Sequence, residues 1–172
     1  MTHLAPPGLS PLRLHLCRLA AIGRTVLAAL AVVLVARAAA AAPAPPVVDT
    51  SGLPALGEPW PALNPYRGNA LAAEIGRVAF SQACAGCHGA DADGSAVAAP
   101  DLRRLGRSCR RVRNAELRQR CMEDVDYYFR KSVLKGKTKV GIEHMPAWEG
   151  VLAPEVVWAI RTFVESRDAT RN

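Results

Sequence analysis

The five residues Cys84-Ala85-Gly86-Cys87-His88 constrain this chain more than any other stretch. Two thiols separated by two residues, with a histidine directly after the second, form the pattern of covalent haem attachment. In that pattern each thiol adds to a haem vinyl group and the imidazole ligates the iron. The motif therefore predicts one covalently bound haem c, attached through Cys84 and Cys87, with His88 as an axial iron ligand.

Two other kinds of site also use a Cys-x-x-Cys pair. A structural zinc site needs a second ligand pair at comparable spacing, but Cys109 and Cys121 are far apart and have no adjoining histidine. A thioredoxin-like dithiol lies at a strand-to-helix junction, and no run rich in valine and isoleucine precedes Cys84. Haem attachment is therefore the favoured interpretation.

The length of 172 residues accommodates one domain. The formal net charge of +7 overstates the basicity of this domain, because the first 42 residues hold four arginines and no acidic residue. From Pro43 onward the chain has 18 basic and 15 acidic residues. This near balance, without interleaved aromatic residues, does not favour a nucleic-acid-binding protein.

Residues 1–41 have the features of an export signal peptide. Three arginines form a basic start, residues 25–36 are an apolar run, and residues 38–41 are alanines suited to cleavage. The apolar run is shorter than the roughly 20 residues that span a bilayer. A cleaved signal is therefore favoured over a retained anchor, and the expected location of the mature protein is the periplasm.

The next two segments are predicted to be an extended arm and a helix. Residues 42–68 are rich in proline, which prevents a continuous helix or a central strand. Asn69 is the expected cap of a helix that runs to about Ala83. Glycine costs roughly 1 kcal/mol in a helix interior, so Gly76 within this helix indicates that another helix approaches closely there.

The remainder of the chain also has helical patterns. The insertion 103–121 carries eight arginines against one acidic residue, which predicts a solvated excursion with a short helix near residues 115–121. Apolar residues at helical spacing then predict a helix that stops at Gly136 and a closing helix that begins at Pro154. No convincing alternating pattern of a strand is present, so the expected fold is all-α.

The sixth position of the iron decides between electron transfer and activation of a small ligand. The credible occupants are Met122, His144 and Met145. Met122 lies on the apolar face of a predicted helix, and His144 would give a bis-histidine site. Met145 precedes Pro146 in a loop flanked by glycine, so it is the predicted second axial ligand. Its neutral thioether favours ferrous iron and raises the reduction potential.

These features together resemble the class I cytochromes c over residues 69–167. The residues that carry the resemblance are Gly76, Phe80, Cys84-Ala85-Gly86-Cys87-His88, Pro100-Asp101-Leu102, Met145-Pro146 and Trp158. The resemblance implies an all-α, class I cytochrome c fold around one covalently bound haem, followed by a short tail, 168–172. In this family the first and last helices cross beside the haem, which implies a contact among Gly76, Phe80 and Trp158.

The resemblance also implies a support for the haem histidine. In this family a proline twelve residues after that histidine uses its carbonyl to hold the second ring nitrogen, and Pro100 occupies this position. The glycine that usually precedes the proline is Ala99 here, so the local turn departs from the family's pattern.

A narrower similarity concerns the redox partners. Residues 145–152, the arginine-rich insertion with two extra cysteines, and the closing helix resemble the periplasmic cytochrome c that serves PQQ-dependent ethanol dehydrogenases. This implies an electron carrier, not an enzyme, with a quinoprotein alcohol dehydrogenase as donor and a terminal oxidase or another cytochrome as acceptor. The alternatives are a ligand-activating enzyme of the peroxidase class and a cytochrome c subunit of a larger membrane or dehydrogenase complex.

Two further groups of residues have predicted roles. Cys109 and Cys121 are expected to form a disulfide, because the protein is exported and the intervening loop is short; the alternative is a second metal or redox site. Four lysines precede the loop that holds Met145, namely Lys131, Lys135, Lys137 and Lys139. They either steer the protein to an acidic docking face or simply form a solvated surface.

Overall fold

The computed structural model describes residues 43–97 and 99–168. The described helices are α1 (Ala70–Ala83), α2 (Ala85–His88), α3 (Arg107–Arg110), α4 (Ala115–Lys135) and α5 (Pro154–Ser166), with a 3₁₀ turn at Leu102–Arg104. Two short strands, β1 (Lys137–Lys139) and β2 (Ile142–Met145), lie between α4 and α5. The predicted export signal, residues 1–41, and the tail after Asp168 lie outside the described residues.

Helix α1 begins and ends where the sequence predicts. The side chain of Asn69 accepts a hydrogen bond from the backbone N–H of Ala72 at 2.9 Å, which satisfies one of the unpaired donors of the first turn. At the other end the backbone N–H of Cys84 donates to Phe80. The helix therefore delivers the chain directly into the Cys-x-x-Cys-His motif.

Helices α1 and α5 cross at a contact where a side chain on α1 has no room. A Cβ added to Gly76 would lie 1.9 Å from the carbonyl oxygen of Ala159. One turn further along α1, the ring of Phe80 lies 5.2 Å from that of Phe163, centroid to centroid. The predicted close approach at Gly76 is confirmed.

Aromatic residues lie on two sides of this crossing. The ring that Phe80 meets belongs to Phe163, and Trp158 belongs to a second buried cluster that includes Ala72 of α1 together with Leu53 and Tyr66 of the preceding segment. Neighbouring residues of α5 therefore belong to two apolar clusters. One cluster lies beside the Cys-x-x-Cys-His motif, and the other lies beneath the N-terminal arm.

The proline-rich segment, 43–69, has no helix or strand and lies against the helices. Its buried residues include Leu53, Asn64 and Tyr66, while Trp60 is half-buried. The backbone N–H of Leu56 donates to Glu155 at the start of α5 at 2.8 Å. The arm therefore contacts the helices through several residues along its length.

Helix α4 is longer than predicted. Instead of a short helix near residues 115–121 followed by a second one, a single helix of 21 residues runs from Ala115 to Lys135. The Asn114 side chain caps it by accepting from the N–H of Leu117 at 2.9 Å. The two predicted helices form one continuous helix because neither glycine nor proline interrupts them.

The expectation that the chain contains no strand is wrong. Strands β1 and β2 pair antiparallel, with Lys137 opposite Met145, Thr138 opposite Glu143 and Lys139 opposite Ile142. Strands of three and four residues are too short to give a recognisable alternation in the sequence. The fold is thus mostly helical, with one small hairpin that ends at the predicted iron ligand Met145.

Among residues 43–97 and 99–168, no helix combines the length and the apolar character needed to cross a bilayer.

Cys109 and Cys121 form a disulfide in the structure, with their Cα atoms 5.5 Å apart. The bond joins α3 to the second turn of α4 and closes a loop with a sequence separation of 12. This loop contains the exposed arginines Arg110, Arg111 and Arg113. The cross-link therefore restrains a segment whose like charges repel one another.

We expect the Cys109→Ala/Cys121→Ala double variant to lose about 3 kcal/mol of unfolding free energy, because the open chain regains loop-closure entropy in the unfolded state. Urea unfolding of the two haem-loaded proteins measures the difference. In the denatured, unreduced wild type, alkylation followed by peptide mass mapping should find neither cysteine modified. Alkylation of both without reductant would contradict the disulfide.

Candidate functional site

The Cys-x-x-Cys-His motif folds as a single helical turn. The backbone N–H groups of Cys87 and His88 both donate to the carbonyl of Cys84, at 3.1 and 3.0 Å. Gly89 ends the turn with a φ of 76°, a left-handed value that favours glycine. The turn presents the two thiols and the imidazole from one short segment, as attachment to a single haem requires.

The ring of His88 is oriented by the carbonyl expected from the sequence. Its Nδ1 lies 3.4 Å from the carbonyl oxygen of Pro100, twelve residues later. Because a carbonyl only accepts, this contact places the ring proton on Nδ1 and leaves the lone pair of Nε2 for a metal. Burial lowers the pKa of His88 below its ordinary value, opposed by the Pro100 contact, and so favours the neutral ligand form.

The loop between His88 and Pro100 is held by its own backbone. The N–H of Gly94 donates to the carbonyl of His88 at 2.8 Å, and the N–H of Leu102 donates to Ala92 at 2.9 Å. Gly94 has a φ of 78°, and a Cβ there would lie 2.4 Å from the carbonyl oxygen of Ala99. Gly94 therefore lets the chain pass close to Ala99. In the class I cytochromes c the glycine of this turn stands at the position of Ala99, five residues later.

The thiol of Cys84 does not suit a redox dithiol. Burial, reinforced by the neighbouring Cys87, raises the pKa of Cys84 to about 12. A catalytic dithiol instead needs a low-pKa thiolate. In residues 43–97 and 99–168 there is also no group of three or more histidine, cysteine or carboxylate side chains placed to hold a metal ion. The described part of the chain thus gives no support to the zinc and dithiol alternatives.

Met145 lies at the end of β2 and is half-buried. It packs against the same apolar cluster as Cys84 and Ala85, a cluster to which Leu102 and Leu105 after the Pro100 loop also contribute. Met145 and residues of the Cys-x-x-Cys-His motif thus contribute to one apolar cluster, although 57 residues separate His88 from Met145.

The Met145 segment is fixed to the end of α4. Gly136 has a φ of 64°, and a Cβ there would lie 2.5 Å from the carbonyl oxygen of Met145 and 2.8 Å from Pro146. Just beyond, the N–H groups of Trp148 and Glu149 donate to the carbonyls of Val133 and Leu134, both at 3.1 Å. This glycine crossing, which the sequence indicated only as a helix stop, sets where Met145 lies.

The other two candidates for the sixth position are placed less favourably. His144 is the extra residue of a β-bulge, because the neighbouring pairs are Lys137 with Met145 and Thr138 with Glu143. It is exposed, whereas Met145 is half-buried. Met122 is buried on α4 beside Gly106, with its sulfur 3.3 Å from where a Cβ at Gly106 would lie. Met122 is thus part of the packing against the insertion.

The donor set fits haem c. Two thiols on one helical turn match the two vinyl groups, and an imidazole whose Nδ1 is already bonded matches an axial ligand through Nε2. A half-buried thioether packed on the same apolar cluster matches the opposite ligand. Cys84 and Cys87 would hold the group covalently, while His88 and Met145 would hold its iron.

The four lysines near the Met145 loop have different environments. Lys135 forms an ion pair with Glu149, with its Nζ 2.7 Å from Oε1. Lys131 and Lys137 lie over the rings of Tyr127 and Tyr128 at 5.7 and 4.6 Å from the centroids. Cation–π contacts leave the positive charge uncancelled, so the surface keeps a basic character although Lys135 is neutralised.

Sequence reasoning missed a buried ionic network on the α4–α5 face. Asp126 is fully buried, and its carboxylate accepts from the Nε of Arg161 at 3.0 Å and from Nη2 of Arg67 at 2.6 Å. Glu165 also forms an ion pair with each of these two arginines. The signal available in the sequence was an acidic residue on the apolar stripe of α4, four residues after Met122.

A cleft of about 870 Å³ lies between the first turns of α1 and α4 and the end of α5, and none of the predicted haem residues lines it. Five arginines do, namely Arg67, Arg77, Arg110, Arg118 and Arg167. Four of them form ion pairs: Arg67 with Glu165, Arg77 with Glu74, Arg110 with Asp168, and Arg167 with Asp91. The charges of this cleft are thus largely paired, and it lies apart from the predicted haem residues.

Comparison with known proteins agrees with the geometry. The family model described as "Cytochrome C oxidase, cbb3-type, subunit III" matches residues 71–164. Cytochrome c550 of Pseudomonas aeruginosa is 36% identical over 126 residues, which cover 71% of this chain and 77% of the relative. No solved structure matches the chain.

These findings define the class of the protein: it belongs to the cytochrome c family, within the group of domains related to the cbb3-type cytochrome. More particularly, it is a monohaem cytochrome c homologous to cytochrome c550. It carries covalently bound haem c with iron, and it is an electron carrier and not an enzyme.

Proposed function

We propose that this protein is a periplasmic one-electron carrier whose haem is bound through Cys84 and Cys87, with His88 and Met145 as the axial ligands of the iron. The observation that carries the assignment of the ligands is the common apolar cluster. Cys84 and Met145 both pack against it, although they come from opposite ends of the domain. The hydrogen bond from His88 to Pro100 supports the orientation of the first ligand.

The haem, when bound, supplies a centre that cycles between Fe(III) and Fe(II), one electron at a time. The residues around it determine how it is used. Pro100 holds the imidazole of His88 in one orientation, and the crossing at Gly136 fixes the backbone from which Met145 projects. With both positions filled by protein, no substrate reaches the iron, so electron transfer is the remaining chemistry.

The optical spectrum tests the proposed Met145 ligand. We expect the oxidised protein to have the weak long-wavelength band of methionine-to-iron coordination, and the reduced protein not to bind carbon monoxide. Met145→Ala should lose the band and bind carbon monoxide rapidly, because its sixth position is open. His144→Ala, changed at the neighbouring exposed residue, is the matched control and should behave as the wild type.

Rapid carbon monoxide binding by the wild type would contradict the assignment. So would a wild type without the band in which His144→Ala, and not Met145→Ala, opens the iron to carbon monoxide. The first result would indicate a labile sixth position. The second would indicate a bis-histidine site with His144 as the ligand.

The proposed donor is a quinoprotein (PQQ) alcohol dehydrogenase, and the proposed acceptor is a terminal oxidase or another cytochrome of the respiratory chain. Support comes from the similarity of residues 145–152 and of the arginine-rich insertion to the cytochromes that serve such dehydrogenases. Stopped-flow mixing of the oxidised protein with a purified quinoprotein ethanol dehydrogenase and ethanol tests this. Haem reduction at a rate first order in dehydrogenase is expected, and no reduction would contradict the donor.

A second candidate is a cytochrome c subunit of a larger membrane or dehydrogenase complex. The description of the matching family names an oxidase subunit, which favours this alternative. Fractionation of native cells separates the two. A free periplasmic carrier is released by osmotic shock and elutes as a small protein, whereas a subunit stays with membranes or coelutes with a large complex.

A further inference from the structure

The β1–β2 hairpin has an unusual residue at its tip. The two strands are joined by Val140 and Gly141 alone, since Lys139 pairs with Ile142. Both loop residues have positive φ, 51° for Val140 and 75° for Gly141. A two-residue loop with both φ values positive is a type I′ turn, for which Asn-Gly is the strongly preferred sequence.

Val140 is poorly suited to this position. A β-branched side chain in the left-handed region is strained, and the strain must be outweighed by something else. Packing within the described structure cannot outweigh it, because the side chain of Val140 is 100% exposed. The residue therefore costs stability and gives no intramolecular contact in return.

The surroundings of Val140 are apolar and basic. Ile142 on β2 is 63% exposed and Tyr128 on α4 is 56% exposed. Lys139 is paired across the hairpin with Ile142, and Lys137 lies over the ring of Tyr128. The acidic residue of the hairpin, Glu143, lies opposite Thr138. The tip is thus an exposed apolar group flanked by two lysines.

We propose that this hairpin tip, formed by Val140, Ile142 and Tyr128 between Lys137 and Lys139, is the docking contact for the electron acceptor of the protein. The partner surface that fits is an apolar depression with an acidic rim. The depression takes the valine, while the rim pairs with the lysines and steers the encounter. Ile142 is three residues from Met145, about 10 Å along the strand. Docking at the tip therefore brings the partner close to the proposed ligand.

This inference rests on the proposed carrier function, so its test uses electron transfer by the haem-loaded protein. The rate at which respiratory membranes of the source organism oxidise the reduced protein is compared with the rate for tris(phenanthroline)cobalt(III), a small oxidant that needs no docking. Val140→Asn is the informative variant, because it creates the preferred Asn-Gly turn and removes the apolar tip without changing charge.

We expect Val140→Asn to raise the midpoint of thermal unfolding by about 3–5 °C through relief of strain. We expect it to slow oxidation by membranes at least about fivefold, as truncation of a central contact does. The cobalt rate and the ionic-strength dependence should not change. Ile142→Thr, which keeps strand propensity, should slow the membrane reaction as well. Lys139→Gln should flatten its salt dependence.

Val47→Asn is the matched control, because this valine is 85% exposed and lies in the N-terminal arm. It should leave the membrane rate unchanged. Wild-type rates in both Val140→Asn and Ile142→Thr would overturn the docking proposal alone. A wild-type protein that neither accepts electrons from the dehydrogenase nor passes them to membranes would instead contradict the carrier function.

Discussion

Replacing Gly76 with alanine is expected to lower the free energy of unfolding by about 3 kcal/mol or more. The added Cβ would lie 1.9 Å from the carbonyl oxygen of Ala159 and 2.9 Å from the backbone nitrogen of Ile160. These are backbone atoms of α5, so no change of rotamer makes room, and the two helices must move apart. Such overpacking typically costs 1–3 kcal/mol, occasionally more, and displacing a whole helix contact belongs at the upper end.

Denaturant unfolding of haem-loaded proteins measures this effect, and Gly57→Ala is the matched control. Gly57 has no atom within 4 Å of its added Cβ and does not have a positive φ. This substitution should change stability by less than about 0.5 kcal/mol. Equal stability of the Gly76 variant and the wild type would mean that the helices do not cross at this contact.

Gly76 also illustrates what a sequence predicts well. A glycine in a helix interior is unfavourable in itself, so its presence indicates a contact that only glycine permits. The cap at Asn69 and the proline at the start of α5 are similarly local, and the structure contains both. Each of these predictions depends on a few neighbouring residues and on rules that hold whatever the rest of the chain does.

The attachment motif is the extreme case of such local information. Its five consecutive residues fix the thiols and the imidazole on one turn, and the twelve-residue spacing to Pro100 corresponds to the contact found in the structure. The choice of Met145 among three candidates was harder. The structural support for this choice is the half-burial of Met145 beside the exposed His144 and the crossing at Gly136, and neither is visible until the hairpin is known.

The hairpin could not be predicted because its strands are too short and too exposed to show a pattern. It forms where α4 ends at Gly136 and where backbone bonds from Trp148 and Glu149 hold the returning chain against α4. The segment between these two anchors is short and must double back, and Gly141 lets it turn tightly. The cause is thus a pair of tertiary contacts that a local reading of residues 137–145 does not contain.

The buried ionic network was unpredictable for a related reason. It joins Asn64 and Arg67 of the N-terminal segment to Asp126 on α4 and Arg161 on α5, residues that lie up to 97 positions apart. In a sequence each is an ordinary polar residue. Only the packing of α4 against α5 shows that Asp126 and Arg161 are excluded from water.

Asp126→Asn is expected to cost about 3–5 kcal/mol of unfolding free energy, the range for breaking a buried ion pair by removing one partner. Asp126 and Arg161 are both fully buried, and the carboxylate also accepts the backbone N–H of Asn64 at 2.9 Å. The amide is nearly the same size as the carboxylate, so no cavity forms. The loss comes from leaving the guanidinium of Arg161 to share the single charge of Glu165 with Arg67.

A matched control is Glu116→Gln, which makes the same chemical change in an exposed ion pair with Arg120 on α4. Exposed pairs contribute about 0–1 kcal/mol, so this variant should unfold nearly as the wild type does. Because the network joins the N-terminal segment to both helices, Asp126→Asn should also make residues 43–69 more sensitive to limited proteolysis, and the control should not. If the two variants lost the same small amount of stability, Asp126 would have to be accessible to water, and the network would not hold the segment in place.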